Sequence, residues 1–164
     1  MLVQGRLDRY TVRRLDGRVW TERRAHQLYA GLCNQAKWRW LWSTLTGRTR
    51  HLLDLASVEA TCTVHDRRHT GLQMVPIDRI RGSEGRSNEF DRDFCPLWDY
   101  TRERWLNIAV LRQQGKALPP VELVQIEEVY FCIDGHHRIS VARALGEREI
   151  EAQVTVWQVA GGLP

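Results

Sequence analysis

The sequence predicts an α+β fold: a small mixed β-sheet with packed helices, and a helical N-terminal extension. Strand-like segments rich in β-branched and aromatic residues occupy positions 121–126, 129–133 and 150–156. Segments with helical spacing of apolar residues lie between them, at 100–114 and 136–145. At 164 residues the chain is long enough to bury one sizeable core.

The N-terminal third is predicted to be mainly one helix. After an irregular segment over residues 1–20, helical spacing begins at Thr21 and ends near Gly47. Two apolar stripes follow this helix, and the later one contains Trp38, Trp42 and Leu45. The end of the helix is therefore apolar nearly all round and should pack on the domain, on a partner or on a second copy. We assign residues 1–56 to this extension and residues 57–164 to the domain.

Short elements are predicted between the N-terminal helix and the helix at 100–114. We expect a short helix over residues 49–56 and a strand over 58–65, where apolar and polar residues alternate. A turn over 66–71 and an extended segment over 72–80 should follow. Residues 81–91 form the longest structureless stretch, and such loops often carry function.

The chain is organised around a strand, a glycine turn and a helix that meet at Gly135. A helix that begins directly after such a turn presents unpaired N–H groups and about half a positive charge. This arrangement is typical of a phosphate site. His136, His137 and Arg138 add hydrogen-bond donors and positive charge at the same position. The alternative is a structural turn whose histidines are partly buried and bonded to the backbone.

The run Asp134-Gly-His-His-Arg138, followed by Ala142 and Leu145-Gly146, resembles the ParB/sulfiredoxin superfamily. Its nucleotide-binding domain carries a Gly-x-[His/Arg]-Arg turn between a strand and a helix. The resemblance spans about residues 75–157. It implies a nucleotide ligand (ATP, ADP or CTP) with Mg²⁺. The phosphates would be held by Gly135, His136, His137, Arg138 and Ser140.

Members of this superfamily differ in activity. ParB proteins hydrolyse CTP, sulfiredoxins use ATP to repair an overoxidised cysteine, and certain members phosphorylate free serine. His136 stands where sulfiredoxins place their catalytic cysteine, so reductase chemistry is not expected. The chain also ends soon after Trp157, and no helix-turn-helix region is expected there. The His136-His137 doublet is closest to the free-serine kinases, which makes serine a candidate phosphate acceptor.

Glu84, Asp134 and His136 are the candidate catalytic residues. In the serine-kinase branch, a glutamate in the loop after the first conserved strand acts as the base, and Glu84 follows residues 75–80 in the corresponding place. A carboxylate near a substrate hydroxyl can accept its proton. Asp134 has three open roles: holding a histidine tautomer, orienting a magnesium-bound water, or accepting a substrate proton. For Glu84 the alternative is a solvated loop charge.

Two arginines flank Glu84 in the same loop. Arg81 and Arg86 can clamp phosphates or a substrate carboxylate through their forked guanidinium groups. The alternative is that both are surface arginines. No metal held by protein side chains alone is predicted, because His65 and His69 have a metal-ligand spacing but no evident third ligand.

Charge is unevenly distributed along the chain. Residues 1–50 contain eleven basic and three acidic residues, a net charge of +8, whereas residues 51–164 carry a net charge of −4. A basic segment with tryptophans is compatible with nucleic-acid binding, by phosphate neutralisation and base stacking. The alternative is a solvated basic helix, or one that docks on an acidic surface of its own or a second copy. The stacking candidates are Trp38, Trp40 and Trp42.

The cysteines and the pattern of apolar residues indicate the cellular compartment in which the protein is expected. Four cysteines lack CxxC spacing and are expected to be reduced, which favours the cytoplasm. No apolar run approaches the length of a membrane span, so no membrane contact is expected.

Two functions are consistent with these patterns. The first is a nucleotide-dependent phosphotransferase or nucleotide hydrolase resembling the free-serine kinases. The second is a nucleotide-gated, ParB-like module that binds DNA or a partner with little turnover. A nuclease is a third alternative, but no carboxylate cluster resembles a two-metal site. A homodimer is compatible with each function.

Overall fold

The computed structural model of the protein describes residues 9–46 and 51–160. Within the first helix, it describes side chains for residues 19–39 and 41–45. The helices are α1 (Arg9–Thr46), α2 (Leu55–Thr61), α3 (Arg102–Gln113) and α4 (His136–Ala144). The strands are β1 (Leu53–Asp54), β2 (Thr63–Pro76), β3 (Ile80–Ser83), β4 (Val121–Ile126), β5 (Val129–Asp134) and β6 (Glu149–Ala160). Short 3₁₀ turns precede β3 and α3.

The six strands form one mixed sheet in the order β1-β3-β5-β4-β6-β2. β1 pairs with β3, β3 with β5, and β4 with β6, all in parallel. The β4–β5 and β2–β6 pairs are antiparallel. The predicted α+β class, a small mixed sheet with packed helices and a helical N-terminal extension, is confirmed.

Helices cover both faces of the sheet. On one face, Ile139 and Ala142 of α4 pack into a core with strand residues such as Val154. On the other face, Leu55 and Val58 of α2 pack against a cluster formed by Val124, Ile126 and Phe131. Since the face under α4 continues into a further helical layer, the molecule is thicker on that side.

A third cluster joins three helices. Trp105 and Ala109 of α3 are fully buried, and they pack with Ala25 and Tyr29 of α1 and with Val141 of α4. The rings of Tyr29 and Trp105 meet edge to face at 5.3 Å between centroids. The middle of α1 is therefore fixed to the domain through α3.

The second half of the chain follows the sequence prediction closely. β4 and β5 lie at the predicted strand positions and pair as an antiparallel hairpin, and α4 and β6 begin at the expected places. The unusual Glu-Glu turn between β4 and β5 is accommodated by Glu127, whose φ is 53°. The predicted helix over 100–114 is present as α3, with Trp105 and Ala109 on its buried side.

Four predictions for residues 9–80 are wrong, and the first two concern α1 and β2. α1 begins at Arg9, so residues 9–20 are helical and not irregular; residues 1–8 lie outside the described range. The predicted turn over 66–71 lies within β2, because antiparallel pairing with β6 continues through two bulges. The predicted helix end at Gly47 lies outside the described residues.

The predicted helix over 49–56 and strand over 58–65 are also wrong. The helix α2 begins at Leu55 instead, and Asp54 caps it by accepting a hydrogen bond from the Ser57 N–H at 3.2 Å. Val58 and Cys62 are four residues apart, a spacing that fits both a strand and a helix. The cap resolves this ambiguity in favour of the helix.

Gly82 on β3 offers a test of the packing beneath the sheet. A Cβ added there would lie 2.0 Å from Cδ1 of Phe131, which is fully buried and cannot move aside. We expect Gly82→Ala to lower the free energy of unfolding by about 1–3 kcal/mol, as overpacking does. Chemical denaturation would measure this loss.

A double-mutant cycle provides the control for this prediction. Phe131→Leu removes atoms from the clashing ring, so Gly82→Ala should cost less in that background than in the wild type. If Gly82→Ala lowers the free energy of unfolding equally in the two backgrounds, the contact with Phe131 is not the cause of the loss.

Candidate phosphate site at the start of α4

The candidate site lies at the edge of the sheet where β3 and β5 end. These neighbours run in parallel, with Ser83 opposite Cys132, so their carboxyl ends lie side by side. Glu84 directly follows β3, and its N–H donates to the Cys132 carbonyl at 2.9 Å. Gly135 directly follows β5 and leads into α4. The structure thus brings Glu84 close to the start of α4, although 51 residues separate Glu84 from Gly135 in the sequence.

Gly135 is required here for two reasons. Its φ is 104°, in the region that side chains disfavour. A Cβ at this position would also lie 2.5 Å from Cγ1 of Val121. The predicted glycine turn is therefore confirmed. The first bond of the helix runs from the Ile139 N–H to the Gly135 carbonyl, so the N–H groups before Ile139 have no partner within the helix.

His136 connects the two strand ends. It is 3% exposed, its Nε2 lies 2.7 Å from the Ser83 hydroxyl oxygen, and its ring stacks on Phe90. Burial, with a smaller effect from the charge of Arg86, lowers the pKa of His136 to about 4. The imidazole is therefore neutral at pH 7, and it fixes the end of β3 against the start of α4.

His137 is also buried, at 5% exposure, with its ring edge against Phe90. Burial, followed by the charges of Arg104 and Arg86, lowers the pKa of His137 to about 4. Its Nδ1 is buried without a hydrogen-bond partner among the described residues. The positive charge expected from the two histidines is thus absent at neutral pH, because both rings are desolvated.

The positive charge near the turn comes from Arg86 and Arg104, whose fields act on His137. Arg86 lies in the loop after β3 and pairs with Glu89 at 3.3 Å. Arg104 lies on the first turn of α3 and is exposed. Sequence reasoning identified Arg86 and missed Arg104, since an isolated helical arginine carries no motif.

Arg138 makes hydrogen bonds that hold the turn together. Its NH1 donates to the carbonyls of Pro119 and Pro120 at 2.6 and 2.7 Å, and its NH2 pairs with Asp134. The guanidinium therefore fixes the segment before β4 to the start of α4. A role for Arg138 as phosphate ligand stays a prediction, and it would require an exchange of these bonds. The Asp134 side chain is 60% exposed and lies at the turn.

Ser140 and Arg81, two other predicted site residues, point away from this turn. Ser140 is 1% exposed and accepts a hydrogen bond from the Trp105 indole N–H at 2.8 Å, within the helical layer. The Arg81 guanidinium lies 3.4 Å from the Asp78 carbonyl, toward the start of β3. The predicted residues that the structure brings together at the turn are Glu84, Arg86, Asp134, Gly135, His136, His137 and Arg138.

The loop after Glu84 is held by a polar network. The carboxylate of Asp91 accepts from the N–H groups of Asp93 and Cys95 at 2.9 and 2.8 Å. Arg39 of α1 donates to Asp93 at 2.6 Å and to the Cys95 sulfur at 2.8 Å. Burial raises the pKa of the Cys95 thiol to about 12, so this sulfur stays protonated. The loop predicted as structureless is thus irregular but anchored.

The described residues contain neither a metal-ligand cluster nor a helix suited to cross a membrane. No group of three or more His, Cys, Asp or Glu side chains is placed to hold a metal ion in residues 9–46 and 51–160. Over the same residues, no helix is long and apolar enough to cross a membrane.

Comparisons with known proteins give one structural match. No family model matches the sequence, and no curated protein matches it. Among solved structures, the crystal structure of sulfiredoxin from Arabidopsis thaliana is 19% identical over 51% of this chain and 82% of that chain, with a TM-score of 0.34. At this identity and TM-score, the likeness carries no information on activity, ligand or site residues. Membership of the superfamily stays a prediction.

The buried histidines predict a specific pH dependence of stability. Both pKa values are near 4 in the folded chain and near 6.5 when unfolded, so between these values the unfolded chain binds protons that the folded chain does not. The free energy of unfolding should therefore fall as pH drops from about 7 to 5, by about 2 kcal/mol or more, and the contribution of these two groups should be flat only above about pH 7.5.

Denaturation at a series of pH values would measure this slope. His136→Asn removes one titrating ring and keeps an amide that can bond to Ser83, so it should reduce the slope. The exposed His65→Asn serves as the matched control and should leave the slope unchanged. An unreduced slope in His136→Asn would contradict the assignment of a neutral, buried His136.

Proposed function

We propose that this protein binds the phosphates of a nucleotide at the N-terminus of α4 and transfers a phosphoryl group to a small hydroxyl acceptor or to water. The observation that carries the proposal is the shared edge of β3 and β5. There an exposed carboxylate, Glu84, follows β3 beside the start of α4, whose first N–H groups have no partner within the helix.

The charges around the start of α4 suit a phosphate group. The helix N-terminus contributes partial positive charge, and Arg86 and Arg104 add two guanidinium groups whose fields extend to His137. His136 and His137 are neutral at pH 7, so the arrangement at the start of α4 does not require either ring to be protonated. The unpartnered Nδ1 of His137 is a further polar atom near the turn that a ligand or a water could satisfy.

Glu84 is the residue proposed as base. Its backbone is held by the bond to Cys132, while its side chain is exposed and free to approach an acceptor hydroxyl. A carboxylate in this position takes the proton of the hydroxyl as the oxygen attacks the phosphorus. Free serine is the acceptor that the sequence resemblance suggests.

Magnesium fits this scheme as a companion of the nucleotide. Mg²⁺ is usually bound through substrate phosphates with one or two protein carboxylates, and it neutralises charge on the transferred group. Asp134 is the nearest exposed carboxylate on β5, and only its Oδ2 is taken by Arg138. A site of this kind needs no cluster of protein ligands.

Phosphorus NMR with Mg²⁺ and ATP, ADP or CTP, with and without L-serine, tests the proposed reaction. A new phosphomonoester that forms only with serine would support a kinase, and loss of the terminal phosphate without an ester would support a hydrolase. Absence of turnover with all three nucleotides would refute phosphoryl transfer to these acceptors and favour the nucleotide-gated binding module.

Glu84→Gln tests the base. The amide keeps the size of the side chain and cannot accept the proton, so turnover should fall by about 10²–10⁴-fold while nucleotide affinity is kept. Glu128→Gln is the matched control, because Glu128 is an exposed carboxylate at the opposite end of β5. Full activity in Glu84→Gln would exclude Glu84 as the base.

Arg86→Gln tests the phosphate site independently of turnover. Removal of this guanidinium should raise the dissociation constant of the nucleotide about tenfold, a loss of about 1.4 kcal/mol. Arg148→Gln provides the control, since Arg148 is exposed beyond the other end of α4. Isothermal titration calorimetry would measure both, and equal affinity in the two variants would argue against phosphate contact by Arg86.

A further inference from the structure

The loop after β3 contains a short antiparallel hairpin over residues 88–98, called here the loop hairpin. The Asp91 N–H donates to the Cys95 carbonyl at 3.0 Å, at the closed end of the hairpin. The Leu97 N–H donates to the Glu89 carbonyl at 2.9 Å, two positions further along each arm. This regular pairing determines which side chains share a side, because neighbouring residues in extended arms point to opposite sides.

Phe90 and Trp98 lie on the same side of the loop hairpin. Phe90 is paired with Pro96, so these two side chains share a side. Trp98 is two residues beyond Pro96 and has extended backbone angles, with φ −127° and ψ 137°. Its side chain therefore leaves the backbone on the side of Phe90, about 7 Å further along the arm.

Phe90 connects this side of the loop hairpin to the candidate phosphate site. Its ring is fully buried, and its centroid lies 5.6 Å from that of His136 and 5.2 Å from that of His137. Phe90 thus covers the two histidines at the start of α4. Since the next pair on the same side of the hairpin includes Trp98, the indole lies beside the candidate phosphate site.

Trp98 is held in position and is accessible to solvent. Its indole N–H donates to the Asn88 carbonyl on the other arm at 3.2 Å, while 56% of the residue is exposed. An indole N–H lies in the plane of the ring, so this bond holds the ring by its edge and occupies neither face. Because the ring is already fixed, little side-chain entropy is lost when a ligand stacks on it.

The charges near Trp98 favour an uncharged ligand group at the indole and phosphates beyond it. Arg86 and Arg104, the two guanidinium groups whose fields act on the start of α4, lie in the segments before and after Trp98. Asp99 directly follows Trp98 and is exposed. A carboxylate there disfavours a phosphate at the ring and tolerates a neutral group. A nucleotide fits both conditions, since its base is neutral and the ribose separates the base from the phosphates.

We infer that Trp98 is the stacking platform for the base of the nucleotide whose phosphates bind at the start of α4. The platform accepts adenine or cytosine, because stacking depends on the face of a base and not on its hydrogen-bonding edge. The inference rests on the proposed function and deepens it by assigning a second contact to the same ligand.

Isothermal titration calorimetry with ATP and with inorganic tripolyphosphate tests the platform, since tripolyphosphate has the phosphates without a base. Trp98→Ala should raise the dissociation constant of ATP by about fivefold or more, as expected for the loss of one stacked base, and leave that of tripolyphosphate unchanged. Trp98→Phe keeps an aromatic face and should keep most of the ATP affinity. Leu97→Ala is the matched control, because Leu97 is exposed on the opposite side of the loop hairpin.

Two outcomes would overturn the inference and leave the proposed function standing. The first is unchanged ATP affinity in Trp98→Ala, with weaker binding of both ligands in Arg86→Gln. The second is an equal loss of affinity for ATP and tripolyphosphate in Trp98→Ala, because Trp98 would then act by supporting the phosphate site. If the wild-type protein binds neither ligand, the proposed function fails, and the inference fails with it.

The indole N–H of Trp98 provides a second measurement, by proton–nitrogen correlation NMR. Trp98→Phe lacks this resonance, so comparison with the wild type identifies it among the indole signals. Saturating ATP should shift the resonance, since the ring current of a stacked base acts at short range, and tripolyphosphate should leave it nearly unchanged. No shift with ATP, or the same shift with tripolyphosphate, would contradict the stacked arrangement.

Discussion

The parallel pairing of β3 with β5 is the constraint on which the candidate site depends. It sets Ser83 opposite Cys132, and from there the chain leaves one strand at Glu84 and the other at Gly135. The pairing requires close approach, since Gly82 lies directly over the ring of Phe131. The buried contact between Ser83 and His136 then fixes the end of β3 to the start of α4. Main-chain geometry and a neutral histidine therefore hold an exposed carboxylate beside a helix N-terminus.

Two arginines hold the segments on either side of the start of α4. Arg138 ties the start of α4 to the carbonyls of Pro119 and Pro120, ahead of β4. On the other side, Arg39 of α1 binds the loop after β3 through Asp93 and Cys95. These two arginines therefore act as internal clamps, which is consistent with the planar, multidentate hydrogen bonding of a guanidinium group. The arginines left to meet a ligand are those in less crowded places, Arg86 and Arg104.

The long helix α1 is fixed to the domain along one side. That side packs on α3 through Ala25 and Tyr29 and reaches the loop after β3 through Arg39. The helix therefore holds in place the loop that begins at Glu84.

The sequence by itself determined the α+β class, the positions of the strands β4 and β5, and the glycine turn into α4. These features depend on local chemistry: β-branched runs, a glycine with positive φ, and a helical repeat. Tertiary structure decided the rest. Pairing with β6 overrode the turn signals between Asp66 and Gly71, and burial against Phe90 of the loop removed the charge of His136 and His137. No local pattern reports such effects, because they arise from contacts between residues far apart in the chain.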